Sequence, residues 1–276
     1  MNPYLHILRP HNCLISGAAV VLGVMIAGGG IPLEVTGLAG LVAFLICGAG
    51  NIINDYYDLE IDRVNRPHRP LPSGKMGPRT AVLYAWLLFT AGIALSVTLG
   101  PAPLALALFN SLLLYAYAWR IKMGGGITKN LVVSYLVASP FLFGGMVARG
   151  NLAALAVFLV CAFLLNTSRE IIKDIEDLEG DRGFVETFPM KIGEYQAFFV
   201  AGTLAVTAVM ISPLPGILGF LKNRGAYLLL ILLTDAIIFY PFLKVKKLTQ
   251  EKVRMTQKTL KAGMAAALVA FFFGTL

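Results

Sequence analysis

"GLAGLVAFLICGAGNIINDYYDLEIDR", residues 37–63, decides the fold. Residues 37–53 carry no charge, and an uncharged apolar run of that length reads as a helix crossing lipid. The last ten residues then gather Asp55, Asp58, Glu60 and Asp62, followed by Arg63. A chain that ends a lipid-spanning helix in four carboxylates must have something positive to put against them.

The rest of the chain has the same apolar character. It is 57% hydrophobic and 14% charged, with a mean hydropathy of +0.75. Soluble domains carry about 25% charged residues. The composition therefore indicates an all-α, polytopic membrane protein, because lipid offers no partner for backbone amides outside a helix or closed barrel. Apolar windows predict nine spans, near 12–28, 34–54, 79–99, 102–119, 129–148, 152–172, 194–213, 226–243 and 259–275. The first continues as an ordinary span, with no cleavage site of a secretory signal. One integral-membrane domain over 1–276 is expected. Cys13, Cys47 and Cys161 are isolated in apolar surroundings, so zinc binding has no support and small buried hydrophobes are their expected role.

With nine spans, twenty of the 23 Lys and Arg residues fall on the side of the N-terminus; Arg149, Lys222 and Arg224 fall on the other. The positive-inside rule makes the first side cytoplasmic. Topology thus accounts for the formal charge of +8, and no nucleic-acid partner is expected.

The acidic stretch recurs. "IINDYYDLEIDR" (52–63) aligns with "IIKDIEDLEGDR" (171–182) at eight of twelve positions. Asp55, Asp58, Asp62 and Arg63 pair with Asp174, Asp177, Asp181 and Arg182. Both copies follow an apolar span, and an even number of crossings separates them, so both emerge on the cytoplasmic side. On a helix the three aspartates of each copy lie within about 60° of one another. They sit at helix C-terminal ends, where the macrodipole disfavours anions, and they repel one another. Oxygen ligands without Cys or a suitable His favour Mg²⁺, which bridges carboxylates to substrate phosphates. Asn54 adds an oxygen before the first copy; Lys173, in the equivalent place, can meet only phosphate. Glu60, Glu170, Glu176 and Glu179 read as solvating acids.

"NDYYDLEID", "NRPHRPLPSG" (65–74) and "KDIEDLEGD" (173–181) together resemble the two signatures of the UbiA superfamily of intramembrane prenyltransferases. "YAYAWRIKMGGGITKN" (115–130) resembles that family's loop after the fourth helix, with a lysine corresponding to Lys122. Within the superfamily, "CGAGNIINDYYDLEIDRVNRPHRPLPSG" is most similar to the archaeal branch that makes digeranylgeranylglyceryl phosphate. The resemblance implies a UbiA-type nine-helix bundle. It further implies Mg²⁺-dependent transfer of geranylgeranyl from geranylgeranyl diphosphate to the free hydroxyl of geranylgeranylglyceryl phosphate. It favours Asp58, Asp62 and Asn54 for one Mg²⁺ and Asp174 and Asp181 for another, with Asp55 and Asp177 as ligands or as residues that orient them. Lys122 and Arg63 are the first candidates for diphosphate contact, followed by Arg182, Lys173, Arg66 and Arg69, with Arg9 close by. His68 is a candidate to accept the hydroxyl proton. Gly48, Ala49 and Gly50 either leave room for a prenyl chain or allow close helix packing, and "MGGGITK" (123–129) is either a lid or a turn.

Three rival readings share part of this pattern. A CDP-alcohol phosphotransferase places its acid clusters in one short segment, whereas these are 119 residues apart. A transporter site lies nearer the membrane midplane. A sibling prenyltransferase with an aromatic, haem or chlorophyll-type acceptor shares every feature above.

Overall fold

The computed structural model describes every residue except Met1, Gly29, Asn151, Arg182, Phe184 and 244–247, and of Asp181 it describes the backbone only. Among the described residues the chain is helical and contains no strand. The longer helices and those that flank the site are α1 (Pro3–Leu8), α2 (Pro10–Ala27), α3 (Leu33–Tyr57), α4 (Leu59–Asn65), α5 (Pro78–Ser96), α6 (Pro101–Ala116), α7 (Gly126–Ala148), α8 (Leu152–Glu176), α9 (Glu194–Ile211), α10 (Arg224–Phe239) and α11 (Gln250–Thr275). Eight of these, α2, α3 and α5 to α10, are long and apolar enough to cross a membrane, which makes this a multi-pass membrane protein. The expected ninth span is the second half of α11. That helix begins with Lys252, Arg254, Lys258 and Lys261, so by length and composition it falls outside the eight.

Local chemistry sets the ends. Proline at the first helical position, where no N–H is needed, opens α5 after Gly77 and α6 after Gly100. Asn223 and Thr249 accept the N–H groups of Ala226 and Lys252 at 3.2 and 3.3 Å, capping α10 and α11. Gly28, at φ +71°, stops α2.

The contacts divide the chain into two compact units. Unit one comprises Met1–Val24, Gly29–Lys122 and Ser139–Gly150; unit two comprises Met25–Gly28, Met123–Ala138 and Asn151–Leu276. In unit one, α3 packs along α5 and also meets α1 and α6. Its core includes Val42, Ile46, Ile52, Ala85, Phe89 and Ala107. α2 crosses the second half of α7 at backbone contact: a Cβ on Gly23 would overlap the Phe141 carbonyl, and one on Gly144 would overlap that of Val20. In unit two, α8 packs on α9 and α11, and α10 on α11, around Ile171, Ile175, Ala201, Ile238 and Leu260. Cys13 and Cys161 are buried and Cys47 is half-buried, all as free thiols.

Gly48 and Gly50 serve helix packing rather than cavity space. A Cβ on Gly48 would come within 2.7 Å of the Leu8 side chain, and one on Gly50 within 2.8 Å of Leu114. The glycine run after Lys122 is a pinned turn rather than a free lid. Gly125 and Gly126 take φ of +62° and +61°, and the Gly126 N–H donates to the Glu186 carbonyl at 2.8 Å. A Cβ on Gly125 would strike that same carbonyl.

Candidate active site

In unit one, α3 runs three residues beyond its expected end and stops at Tyr57. Asp58 leaves the helix at ψ 2°, yet its N–H still donates to Asn54 at 3.0 Å, and Asp62 donates to the Asp58 carbonyl at 2.8 Å. The helical phase therefore nearly survives the break into α4. One guanidinium reads the result: Arg69 Nη1 lies 3.1 Å from Asp55 Oδ1 and 2.5 Å from Asp62 Oδ2. These side chains are well buried, with exposures of 14% for Arg69, 4% for Asp55 and 6% for Asp62. Arg9 makes a second ion pair with Asp55. Asp58 is paired with Lys122 and accepts from Asn54 Nδ2 at 2.9 Å; the Lys122 ammonium is also 3.5 Å from Asn54 Oδ1.

Each cation is delivered by an irregular piece of backbone. Arg9 sits at φ +53° between α1 and α2, a conformation uncommon outside glycine. Its neighbour Leu8 is held by Asn51, whose Nδ2 donates to the Leu8 carbonyl at 2.9 Å. Lys122 follows a π-helical turn, Tyr117–Ile121, that continues α6; such wide turns often occur at functional sites. Arg69 lies in nested turns, with its N–H on the Arg66 carbonyl at 3.1 Å and its own carbonyl accepting from Ser73 at 3.0 Å. The buried side chains of Leu71 and Met76 anchor that loop.

In unit two, Asp174 is buried near the end of α8. Its Oδ1 accepts from Lys129 Nζ at 2.7 Å and its Oδ2 from Asn130 Nδ2 at 3.0 Å. The sequence reading missed both partners as site residues and counted Lys129 only toward topology. The available signal was a Lys-Asn pair opening a span on the side where the acids emerge. Asn130 is fully buried, and its Oδ1 has no hydrogen-bond partner. Behind it, Ser134 Oγ donates to the Asn130 carbonyl at 2.7 Å and Asn166 Nδ2 donates to Ser134 Oγ at 3.1 Å.

Several other sequence candidates are exposed. Arg63 is exposed and pairs with Glu60 at 2.8 Å. Arg66, His68 and Lys173 are exposed, as is Asp177 just beyond α8. The side chain of Asp181, and all of Arg182, fall outside the described residues. Glu170 and Glu176 pair with Arg169 and Arg254.

A buried carboxylate needs a partner, and removing one from a buried ion pair costs about 3–5 kcal/mol. The sequence reading assigned that compensation to a metal. The structure supplies Arg9, Arg69, Lys122 and Lys129 from neighbouring elements. Among the described residues, no three His, Cys, Asp or Glu side chains converge into a ready cage. The carboxylate and amide oxygens present are of the kind Mg²⁺ takes, together with water and phosphate oxygens. The uncommitted Asn130 Oδ1 beside Asp174 is the kind of oxygen such an ion takes. Chemically, each set offers anionic oxygens for a divalent ion beside cations for a polyphosphate.

The chain is 40% identical over 280 residues to the digeranylgeranylglyceryl phosphate synthase of Methanopyrus kandleri, covering all of both chains. It is 40% identical over 278 residues to that of Pyrococcus abyssi, covering 100% of this chain and 98% of the relative. A solved structure from work on digeranylgeranylglyceryl phosphate synthase in membranes superposes with a TM-score of 0.88 at 35% identity, covering 99% of this chain and 97% of that one. A UbiA homologue from Archaeoglobus fulgidus, solved with GPP and Mg²⁺, shares the fold at a TM-score of 0.74 and 18% identity, covering 98% of this chain and 99% of its own. The family model for UbiA prenyltransferases matches residues 16–273, nearly the whole chain. Helical membrane fold, paired acidic sets and full-length relatives agree: the chain belongs to the UbiA prenyltransferase family.

Proposed function

We propose that the protein transfers a geranylgeranyl group from geranylgeranyl diphosphate to the free hydroxyl of geranylgeranylglyceryl phosphate, as in archaeal ether-lipid synthesis. The observation that carries this reading is full-length identity of about 40% to synthases of that product. Chain 1–276 works as one integral-membrane domain, with α11 as its ninth span and the acidic sets on the cytoplasmic face. The 20-to-3 distribution of basic residues supports that orientation.

Mg²⁺ supplies charge neutralisation on the departing diphosphate. Asn54, Asp58 and Asp62 in unit one would hold one ion, and Asp174 and Asp181 in unit two another; Asp55, tied to Arg9 and Arg69, orients its neighbours. Asp177 remains a candidate ligand, and Arg63, Arg66, Lys173 and Arg182 remain candidate phosphate contacts. The allylic C–O bond breaks and its electron pair leaves with the diphosphate. Lys122 and Arg69, already placed beside carboxylates, take up the growing negative charge. The acceptor hydroxyl forms the new ether C–O bond and gives up its proton to water or to the departed diphosphate, a step that needs little help from a side-chain base once the carbon is cationic.

The test is purified protein with Mg²⁺ and geranylgeranyl diphosphate, offered geranylgeranylglyceryl phosphate or 4-hydroxybenzoate. The expected product is the diether phosphate. Product from the aromatic acid alone would overturn the acceptor assignment.

A further inference from the structure

We infer that Asn130 is the neutral oxygen donor of the second acidic set and that Lys129 is its resident cation, the ammonium that a divalent ion displaces from Asp174. The inference rests on the metal-dependent reading above and deepens it at residues outside both aspartate motifs.

The first acidic set shows the pattern. There a single oxygen of Asp58, Oδ2, accepts from both the Asn54 amide and the Lys122 ammonium. Asn54 precedes Asp58 by one helical turn, so the motif itself encodes the pair. The second motif has Lys173 where the first has Asn54, and that lysine is exposed. By sequence the second set therefore lacks its amide. The structure restores it from another helix. Asn130 and Lys129, adjacent at the start of α7, each take one oxygen of Asp174. The triad has moved by one turn, because Asp174 is the repeat mate of Asp55 rather than of Asp58. The same trio of groups has thus been assembled twice on non-equivalent aspartates, which repeat symmetry alone does not produce.

The orientation of the Asn130 amide follows from chemistry. An ionised carboxylate only accepts hydrogen bonds, so the NH₂ is the end of the amide bonded to Asp174, and Oδ1 is left unengaged by that carboxylate. That oxygen is fully buried and has no donor. Two other buried side-chain oxygens, Asn110 Oδ1 and Thr187 Oγ1, also lack a partner, but neither residue is bonded to a carboxylate. An unmet buried acceptor is destabilising. A divalent cation held by the neighbouring carboxylate would satisfy that oxygen. The Ser134–Asn166 relay fixes the backbone of Asn130, which keeps the oxygen in place. Lys129 is the counterpart: its ammonium lies 2.7 Å from Asp174 Oδ1 and competes there with any ion. Once displaced, it is a free cation for a phosphate oxygen.

Mn²⁺ binding to the purified full-length protein, counted by electron paramagnetic resonance without substrate, tests this. Asn130→Ala should weaken one class of site by about tenfold or more. Asn130→Asp should match or exceed the wild type, and Lys129→Met should tighten the same class while slowing turnover. Wild-type Mn²⁺ binding in Asn130→Ala and Lys129→Met, alongside loss in Asp174→Ala, refutes the inference and leaves the metal-dependent reading standing. Unchanged binding in Asp174→Ala removes that reading for the second set, and the inference with it. If Asn130→Ala does not fold, Asn130→Asp decides. Weaker Mn²⁺ binding there means that the amide serves only as a hydrogen-bond donor or holds a water, and the inference fails.

Discussion

Arg69→Gln should make the protein's thermal stability depend on Mg²⁺ far more steeply than in the wild type. The substitution keeps much of the stem but removes the charge that bridges Asp55 and Asp62. Asp55 retains Arg9, whereas among the described residues Asp62 has no other ion pair, and its side chain is 6% exposed. Breaking a buried pair from one side costs about 3–5 kcal/mol. Arg69 is itself slightly exposed, which argues for the lower end, about 3 kcal/mol. At roughly 2–4 °C per kcal/mol for a chain of about this length, Tm in EDTA should fall by about 6–12 °C. Mg²⁺ at about a hundred times its Kd contributes about 2.7 kcal/mol to whichever form binds it. In the wild type that gain is reduced, because the ion must first displace Arg69. The gap in Tm between variant and wild type should therefore shrink by half or more on adding Mg²⁺. The assay is thermal unfolding in detergent, with EDTA and with saturating Mg²⁺. An equal gap in both conditions, or no gap in EDTA, would falsify the view that Arg69 and the ion share Asp62.

Three further outcomes are expected. Asp58→Ala, which strips the partner from Lys122 and Asn54, should cut turnover by about a hundredfold or more while the protein still purifies as a folded species, measured by product formation and circular dichroism. Gly125→Ala forces a side chain into φ +62° and against the Glu186 carbonyl; a loss of at least about 1–2 kcal/mol should appear as a lower Tm, and an unchanged Tm would show that the turn can relax. Gly23→Leu drives a side chain into the backbone of Phe141 and should destabilise unit one by about 1–3 kcal/mol or abolish folding, read by thermal unfolding and yield.

Much of this arrangement is legible in the sequence because lipid simplifies it. Uncharged windows of about 20 residues must be helices, so the eight spans emerge from length and charge. Asp55 and Asp62 meeting at one guanidinium follows from helical spacing, even though the helix breaks between them at Asp58. The partners of the carboxylates are less legible. Arg9 lies 46 residues from Asp55, Lys122 lies 64 from Asp58, and Lys129 lies 45 from Asp174. Such pairs depend on how helices rotate against one another, which periodicity within one helix does not encode. Arg63 shows the converse. It adjoins the aspartates in sequence, yet its phase on α4 turns it to Glu60 and solvent. Lys129 reads in the sequence as one more charge that sets topology, because its role depends on Asn130 beside it and on a turn held by Glu186.

The widened turn at Tyr117–Ile121 limits how this enzyme can be recombined with its relatives. A single residue gained or lost on a helix swings everything downstream by about 100°. Chimaeras should therefore exchange 117–122 as one indivisible block. A crossover inside it would carry Lys122 off its aspartate while leaving every residue of the acidic motifs in place.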